Sequence, residues 1–192
     1  MTLRPGDALI VVDVQNDFLP GGSLPVPGGD EIVPLLNDYI AAFERAGLPV
    51  FATRDWHPAE HCSFRGRGGP WPVHCVAGSA GAAFAPGLHL PPSAVVVSKG
   101  TAPERDAYSG FEGTDLDARL GTAGARRVFV GGLATDYCVL DTVKEAVARG
   151  YATVLLADAV RAVDVKPGDG RRAKVEMVRR GAASIRRKQL AA

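Results

Sequence analysis

The sequence predicts an α/β fold, a doubly wound, Rossmann-like three-layer sandwich built on a mostly parallel sheet. Three observations lead there. Short runs of Val, Ile and Leu recur without polar alternation, as strands buried on both faces do. Stretches with apolar residues at three- and four-residue steps lie between them. The two kinds of segment alternate along one chain, the order that layers helices on both faces of a parallel sheet.

The elements follow in order. The first strand is Leu9 to Val12, in an apolar run that Asp13 stops. From Asp30 to Ala46, the residues Ile32, Leu36, Tyr39, Ile40 and Phe43 fall on one helical face, and Gly47 is placed to end that helix in the left-handed conformation. Strands are expected at Val50 to Ala52 and Val95 to Val97. Leu116 and Leu120 mark a shorter helix with Thr114 as its expected N-cap. A fourth strand, Val128 to Val130, precedes a helix from Asp136 to Arg149 that ends at Gly150. The fifth strand runs from Thr153 to Leu156, the last helix from Gly170 to Arg180 before Gly181, and Ala183 to Ile185 is expected as a weak sixth strand at an edge. The Arg186-Arg187-Lys188 tail reads as a solvated basic end.

One stretch breaks the alternation. Pro58 to Pro92 holds six prolines and six glycines in 35 residues and has no sustained periodicity. It also carries His61, Phe64, Trp71 and His74, a poor composition for disorder and a good one for a lid over a site. The expectation is a single domain over residues 1–192 with a lid loop at about 57–92.

Composition narrows the function. With 22 Lys+Arg against 21 Asp+Glu the net charge is +1, which leaves no basic footprint for nucleic acid. The apolar run before Asp13 is far shorter than a membrane span, so no membrane partner is expected. Cys62, Cys75 and Cys138 are odd in number and in no CxxC spacing, as in a reducing compartment, and a cytoplasmic location follows as the expectation. At this length no metal is needed to hold a core, so a metal site would point to function.

Ligands of open parallel sheets bind outside the carboxyl ends of the strands. Asp13, Asp55 with His57, Lys99 and Cys138 follow the first four strands and share one rim. A carboxylate, an ammonium and a thiol there are the parts of nucleophilic catalysis with a proton carrier. Cys138 lies near a predicted helix start beside Lys99, which predicts a thiol pKa below the ordinary value. Asp55 and His57, at i and i+2 on an extended segment, face one side, and with His74 they make a three-ligand divalent metal site suited to Zn, Fe(II) or Mn. His89, Cys62 and Cys75 read as packing or surface residues. Gly131 to Asp136 lacks the spacing of a dinucleotide or phosphate loop. A cysteine phosphatase is disfavoured because Lys144 stands where that mechanism needs an arginine.

These residues resemble the isochorismatase-like cysteine hydrolases, and within them the nicotinamidase (pyrazinamidase) branch. The segments that carry the resemblance are Val11 to Phe18, Thr53 to Pro58, Trp71 to Val76, Ser98 to Gly100, Tyr108 to Phe111 and Gly131 to Val139. The resemblance implies a six-stranded parallel sheet, with Cys138 as nucleophile, Asp13 as general base and acid, and Lys99 as the charge that orients Asp13. It implies Asp55, His57 and His74 as metal ligands. The family varies at the fourth ligand, for which His61 is the candidate ahead of Glu60. A cis peptide is expected at Leu133-Ala134, with the N–H groups of Ala134 and Cys138 forming an oxyanion hole. Phe18, Leu24, Trp71 and Tyr137 are expected to wall an aromatic ring. The implied reaction converts nicotinamide, or pyrazinamide, to its acid and ammonia through a cysteine thioester, with one divalent metal per chain; self-association is a further expectation. Two alternatives stay open: a relative acting on a carbamoyl or ureido compound, and a metal-binding or redox-sensing protein using Cys138. Glu104, Arg105 and Asp106 form a charged approach, a departure from the family's pattern.

Overall fold

A computed structural model describes residues 1–191. Six parallel strands, β1 (Asp7–Val12), β2 (Val50–Asp55), β3 (Val95–Lys99), β4 (Arg127–Leu133), β5 (Ala152–Arg161) and β6 (Ala183–Ile185), lie in the order β3-β2-β1-β4-β5-β6. The helices are α1 (Ile32–Arg45), α2 (Leu116–Thr122), α3 (Cys138–Ala148) and α4 (Asp169–Arg179). β1 sits between β2 and β4, and all six of its residues are buried. Leu9 and Val11 pack with Leu36, Ile40 and Phe43 of α1; Ala8, Ile10 and Val12 pack with Leu116 of α2, Val139 of α3 and Met177 of α4. Period-two alternation thus divides one buried strand between two apolar layers, which is why its sequence shows no polar face.

Several boundaries move for physical reasons. α3 begins at Cys138, two residues later than expected, because Tyr137 has non-helical φ −129 and ψ −100. The Asp136 carboxylate accepts the N–H groups of Val163 and Asp164 instead of capping the helix. Thr114 is not the N-cap of α2; Asp115 holds that position, and the Thr114 hydroxyl donates to the Gly110 carbonyl at 2.6 Å. β5 extends to Arg161 through a register shift opposite Val130 and Gly132. The basic tail is only partly solvated: Arg187 donates its N–H to Asp158 at 2.8 Å, and Leu190 is buried.

The Pro/Gly-rich loop is ordered by pairing. His57 bridges to Val76, Phe64 to Trp71, and Phe84 to Gln15 just beyond β1. Asp17 accepts the Cys75 N–H at 2.7 Å. Gly81 packs so closely that a side chain there would meet the Asp17 carboxylate at 2.1 Å. These ties bring Trp71 and His74 to the carboxyl end of the sheet. Among the described residues, no helix is long and apolar enough to cross a membrane.

Candidate active site

Three strand ends deliver the reactive groups. Asp13 follows β1, Lys99 ends β3, and Cys138 opens α3 after β4; all three are buried. Lys99 Nζ lies 2.9 Å from Asp13 Oδ2, donates to Cys138 Sγ at 3.4 Å and to the Ala107 carbonyl at 3.1 Å, and pairs with Asp55. Carboxylate oxygens of Asp13 and Asp55 and the Cys138 sulfur lie within 4.8 Å of one another. Asp13 Oδ1 accepts the Thr53 hydroxyl at 2.6 Å, and Asp13 holds φ +49, a region few non-glycine residues occupy.

Burial dominates the electrostatics. It pushes the Cys138 thiol well above its ordinary range, against the pull of Lys99, and the Asp13 and Asp55 charges raise it further. The expectation of a lowered thiol is therefore corrected: the helix start and Lys99 are present, but desolvation and two carboxylates outweigh them. Burial likewise raises Asp13, with Lys99 and Thr53 opposing. Burial would lower Lys99, but Asp13 and Asp55 overcome it and hold the ammonium well above the usual range. A fixed cation thus faces a thiol and a carboxyl that both bind a proton more tightly than in water.

The donor set sits beside this cluster. Ligand atoms of Asp55, His57 and His74 lie within 4.8 Å of one another. His57 Nδ1 lies 2.9 Å from the Gly100 carbonyl and His74 Nδ1 lies 2.8 Å from the Pro72 carbonyl. Each Nδ1–H is spent on backbone, so both Nε2 lone pairs face Asp55 Oδ2, at 3.5 and 4.0 Å. Two oriented imidazoles and a carboxylate are a fitting set for one divalent metal.

His61 and Glu60, the candidates for a fourth ligand, do not join this set. His61 uses both ring nitrogens, on Ser63 Oγ at 2.7 Å and the Arg105 carbonyl at 3.0 Å, and stacks behind His57. Glu60 is exposed and pairs with Arg67.

A cleft with about 390 Å³ of free space, its open mouth included, lies between the two groups. Phe18, Leu24, Trp71 and Tyr137 line it, together with Val26, Tyr108 and Val163; Asp55 and His74 stand at its wall, as do Ala134 and Cys138. Trp71 Nε1 donates to the Tyr108 hydroxyl at 2.9 Å, and the Trp71 ring meets Tyr137 edge-on at 5.1 Å. The Leu133-Ala134 peptide is cis. The N–H groups of Ala134 and Cys138 donate to no backbone acceptor among the described residues.

Sequence reasoning missed three supports. Gln15, buried, grips the Asp55 backbone from both sides: its Nε2 donates to the Asp55 carbonyl and its Oε1 accepts the Asp55 N–H, both at 2.8 Å. Gly100 has φ +61, and a Cβ there would meet His57 at 2.5 Å. Tyr108 completes the cavity wall. All three lie inside the segments that carry the family resemblance. The available signal was a neutral amide and a glycine next to strand-end charges.

A buried thiol that lines an aromatic cavity, backed by a carboxylate and an ammonium at the carboxyl ends of a doubly wound sheet, is the arrangement of an α/β cysteine hydrolase. The isochorismatase domain family model matches residues 7–189, and the chain belongs to that family. It is 40% identical over 199 aligned residues to the nicotinamidase of Escherichia coli, covering 93% of each chain. Its structure is similar to that of a pyrazinamidase of Pyrococcus horikoshii in complex with zinc, with TM-score 0.91, 52% identity, and coverage of 95% of this chain and 99% of that one. It is also similar to the L. infantum PnC1 in complex with nicotinate, with TM-score 0.91, 40% identity, and coverage of 100% and 98%.

Proposed function

We propose that this chain is a metal-dependent amidohydrolase that converts nicotinamide, and by the same geometry pyrazinamide, to the carboxylic acid and ammonia. The observation that carries the reading is the aromatic cavity with Cys138 at one wall, Lys99 and Asp13 packed behind that thiol, and the Asp55, His57 and His74 donor set beside them. Nicotinamide offers matching parts: a flat ring for Phe18, Trp71 and Tyr137, a ring nitrogen, and a carboxamide.

The reaction follows from the chain's own groups. Asp13 takes the Cys138 proton as the sulfur attacks the carboxamide carbon. The N–H groups of Ala134 and Cys138 receive the oxyanion; single donors of this kind are worth about 3 to 4 kcal/mol. Asp13 returns the proton to the departing ammonia, leaving a thioester on Cys138. Asp13 then deprotonates a water that attacks the thioester, and the proton returns to the thiol as the acid leaves. Lys99 keeps its charge throughout and holds Asp13 in place. Asp55, His57 and His74 would hold one divalent metal, which supplies a Lewis-acid contact for the ring nitrogen and so positions the ring. Imidazole and carboxylate donors suit Zn, Fe(II) or Mn, and the zinc complex of the Pyrococcus horikoshii relative favours zinc.

The donor set favours this substrate over a carbamoyl or ureido compound, which has no ring nitrogen to bind. The proton path from Cys138 to Asp13 favours hydrolysis over redox sensing. The reading includes one hydrolase domain with its lid, self-association and a cytoplasmic location, the last supported by three free cysteines. Ammonia release from nicotinamide by zinc-loaded protein tests it. Cys138→Ala is expected to lose about a thousandfold or more, and turnover retained in that variant would overturn the assignment.

A further inference from the structure

Behind the donor set lies a group that the reaction leaves unused. His61 is fully buried, and its ring stacks on His57 with centroids 4.1 Å apart and planes 20° from parallel. Its Nε2 lies 3.0 Å from the Arg105 carbonyl, which can only accept, so Nε2 carries the proton. Its Nδ1 faces two donors, the Ser63 hydroxyl at 2.7 Å and the Ser63 N–H at 3.4 Å, so Nδ1 accepts. Neither nitrogen then keeps a lone pair for a metal.

The bond to Arg105 links two parts of the site. The Cys62 N–H also crosses, donating to the Pro103 carbonyl at 2.8 Å. Together they join the turn after His57 to the segment 101–108. That segment carries the Ala107 carbonyl, which accepts from Lys99, and Tyr108, which takes the Trp71 indole N–H. On the outside Arg67 spans Glu60 and Glu104 at 3.5 and 3.3 Å, but those pairs are solvated and worth little. His61 is the buried side chain that ties the turn after His57 to this segment.

We infer that His61 is a positioning residue and not a metal ligand: as the Nε2–H tautomer it fastens the metal-ligand turn to segment 101–108, and so sets where the Tyr108–Trp71 wall stands against the substrate ring. Loss of the tie falls on substrate binding more than on chemistry, because Lys99 is still held by Asp13 and Asp55. The kinetic part of this inference rests on the amide hydrolase reading.

The test uses His61→Phe, which keeps a ring on His57 but no nitrogen, and His61→Gln, which can return an N–H to the Arg105 carbonyl. Zinc affinity of the metal-free protein, measured by competition with a chromophoric chelator, is expected to stay within about tenfold in His61→Phe, while His57→Gln loses about a hundredfold or more. The KM for nicotinamide is expected to rise about tenfold in His61→Phe with a much smaller change in kcat, and His61→Gln is expected to recover most of it. A zinc affinity in His61→Phe as low as in His57→Gln would overturn the inference, and so would an unchanged KM. If His61→Phe does not fold, nitrogen NMR of the zinc-loaded parent protein decides: an Nε2–H on His61 supports the tie, and a zinc-bound ring nitrogen sinks it. If the parent protein releases no ammonia from nicotinamide, the function reading fails while zinc affinity and tautomer still decide the part His61 plays.

Discussion

At the scale of single residues, the site depends on what its neighbours forbid. Gly100 accepts from His57 Nδ1, and the absence of a side chain lets the ring approach. Gly100→Ala forces either the backbone out of φ +61 or the imidazole away from its carbonyl. Zinc affinity is expected to fall by about 10- to 100-fold, the usual cost of disturbing a ligand's orienting partner, as titration of the metal-free variant would show; unchanged affinity would mean that the carbonyl does not orient His57. Cys138 makes the same point for charge. A helix start and a nearby lysine are legible in sequence, but the depth of burial that reverses their effect is not.

At the scale of elements, Gln15 fastens the end of β1 to the end of β2. Its side chain donates to the Asp55 and Ala82 carbonyls and accepts the Asp55 N–H, and its own N–H donates to the Asp13 carbonyl, so it joins Asp13, Asp55 and the Pro/Gly-rich loop. Gln15→Ala leaves three buried backbone groups without partners and is expected to cost about 2 to 4 kcal/mol in chemical denaturation. A loss under about 0.5 kcal/mol would show that water or local relaxation replaces it. On the outer layer, Glu176 of α4 accepts from Arg179 and Arg180, which hold its carboxyl at about 2 against an ordinary 4.5. A lowered carboxyl stabilises the fold above its unfolded value, and that contribution is lost as pH falls from about 4.5 through 2. The pair is solvent-screened, so the effect on stability is small. The clean readout is carboxyl NMR, where protonation of Glu176 near 4.5 would contradict the pairing.

At the scale of the whole molecule, two apolar layers clamp β1 and bring six separate segments to one cavity. Metal binding to the native donor set couples to global stability, because an unfolded chain does not assemble Asp55, His57 and His74. Zinc at 100 times its dissociation constant is expected to add about 2.7 kcal/mol, a rise in Tm of roughly 5 to 10 °C over chelated protein. Equal melting with and without zinc would mean that the donor set does not bind it in the native state.

Hydrophobic runs and helical periods were enough to place all six strands and four helices, since local burial on both faces leaves a local signature. Asp13, Asp55, Lys99 and Cys138 were legible because strand ends in a parallel sheet share one rim. Tertiary structure alone decided the rest. The partners of Gln15 lie 40 and 67 residues away, the two bonds of His61 draw it behind His57 rather than into the donor set, and the thiol of Cys138 rises because the surrounding layers exclude water. Each depends on which distant groups meet in a low-dielectric interior, a relation that spacing along the chain does not encode.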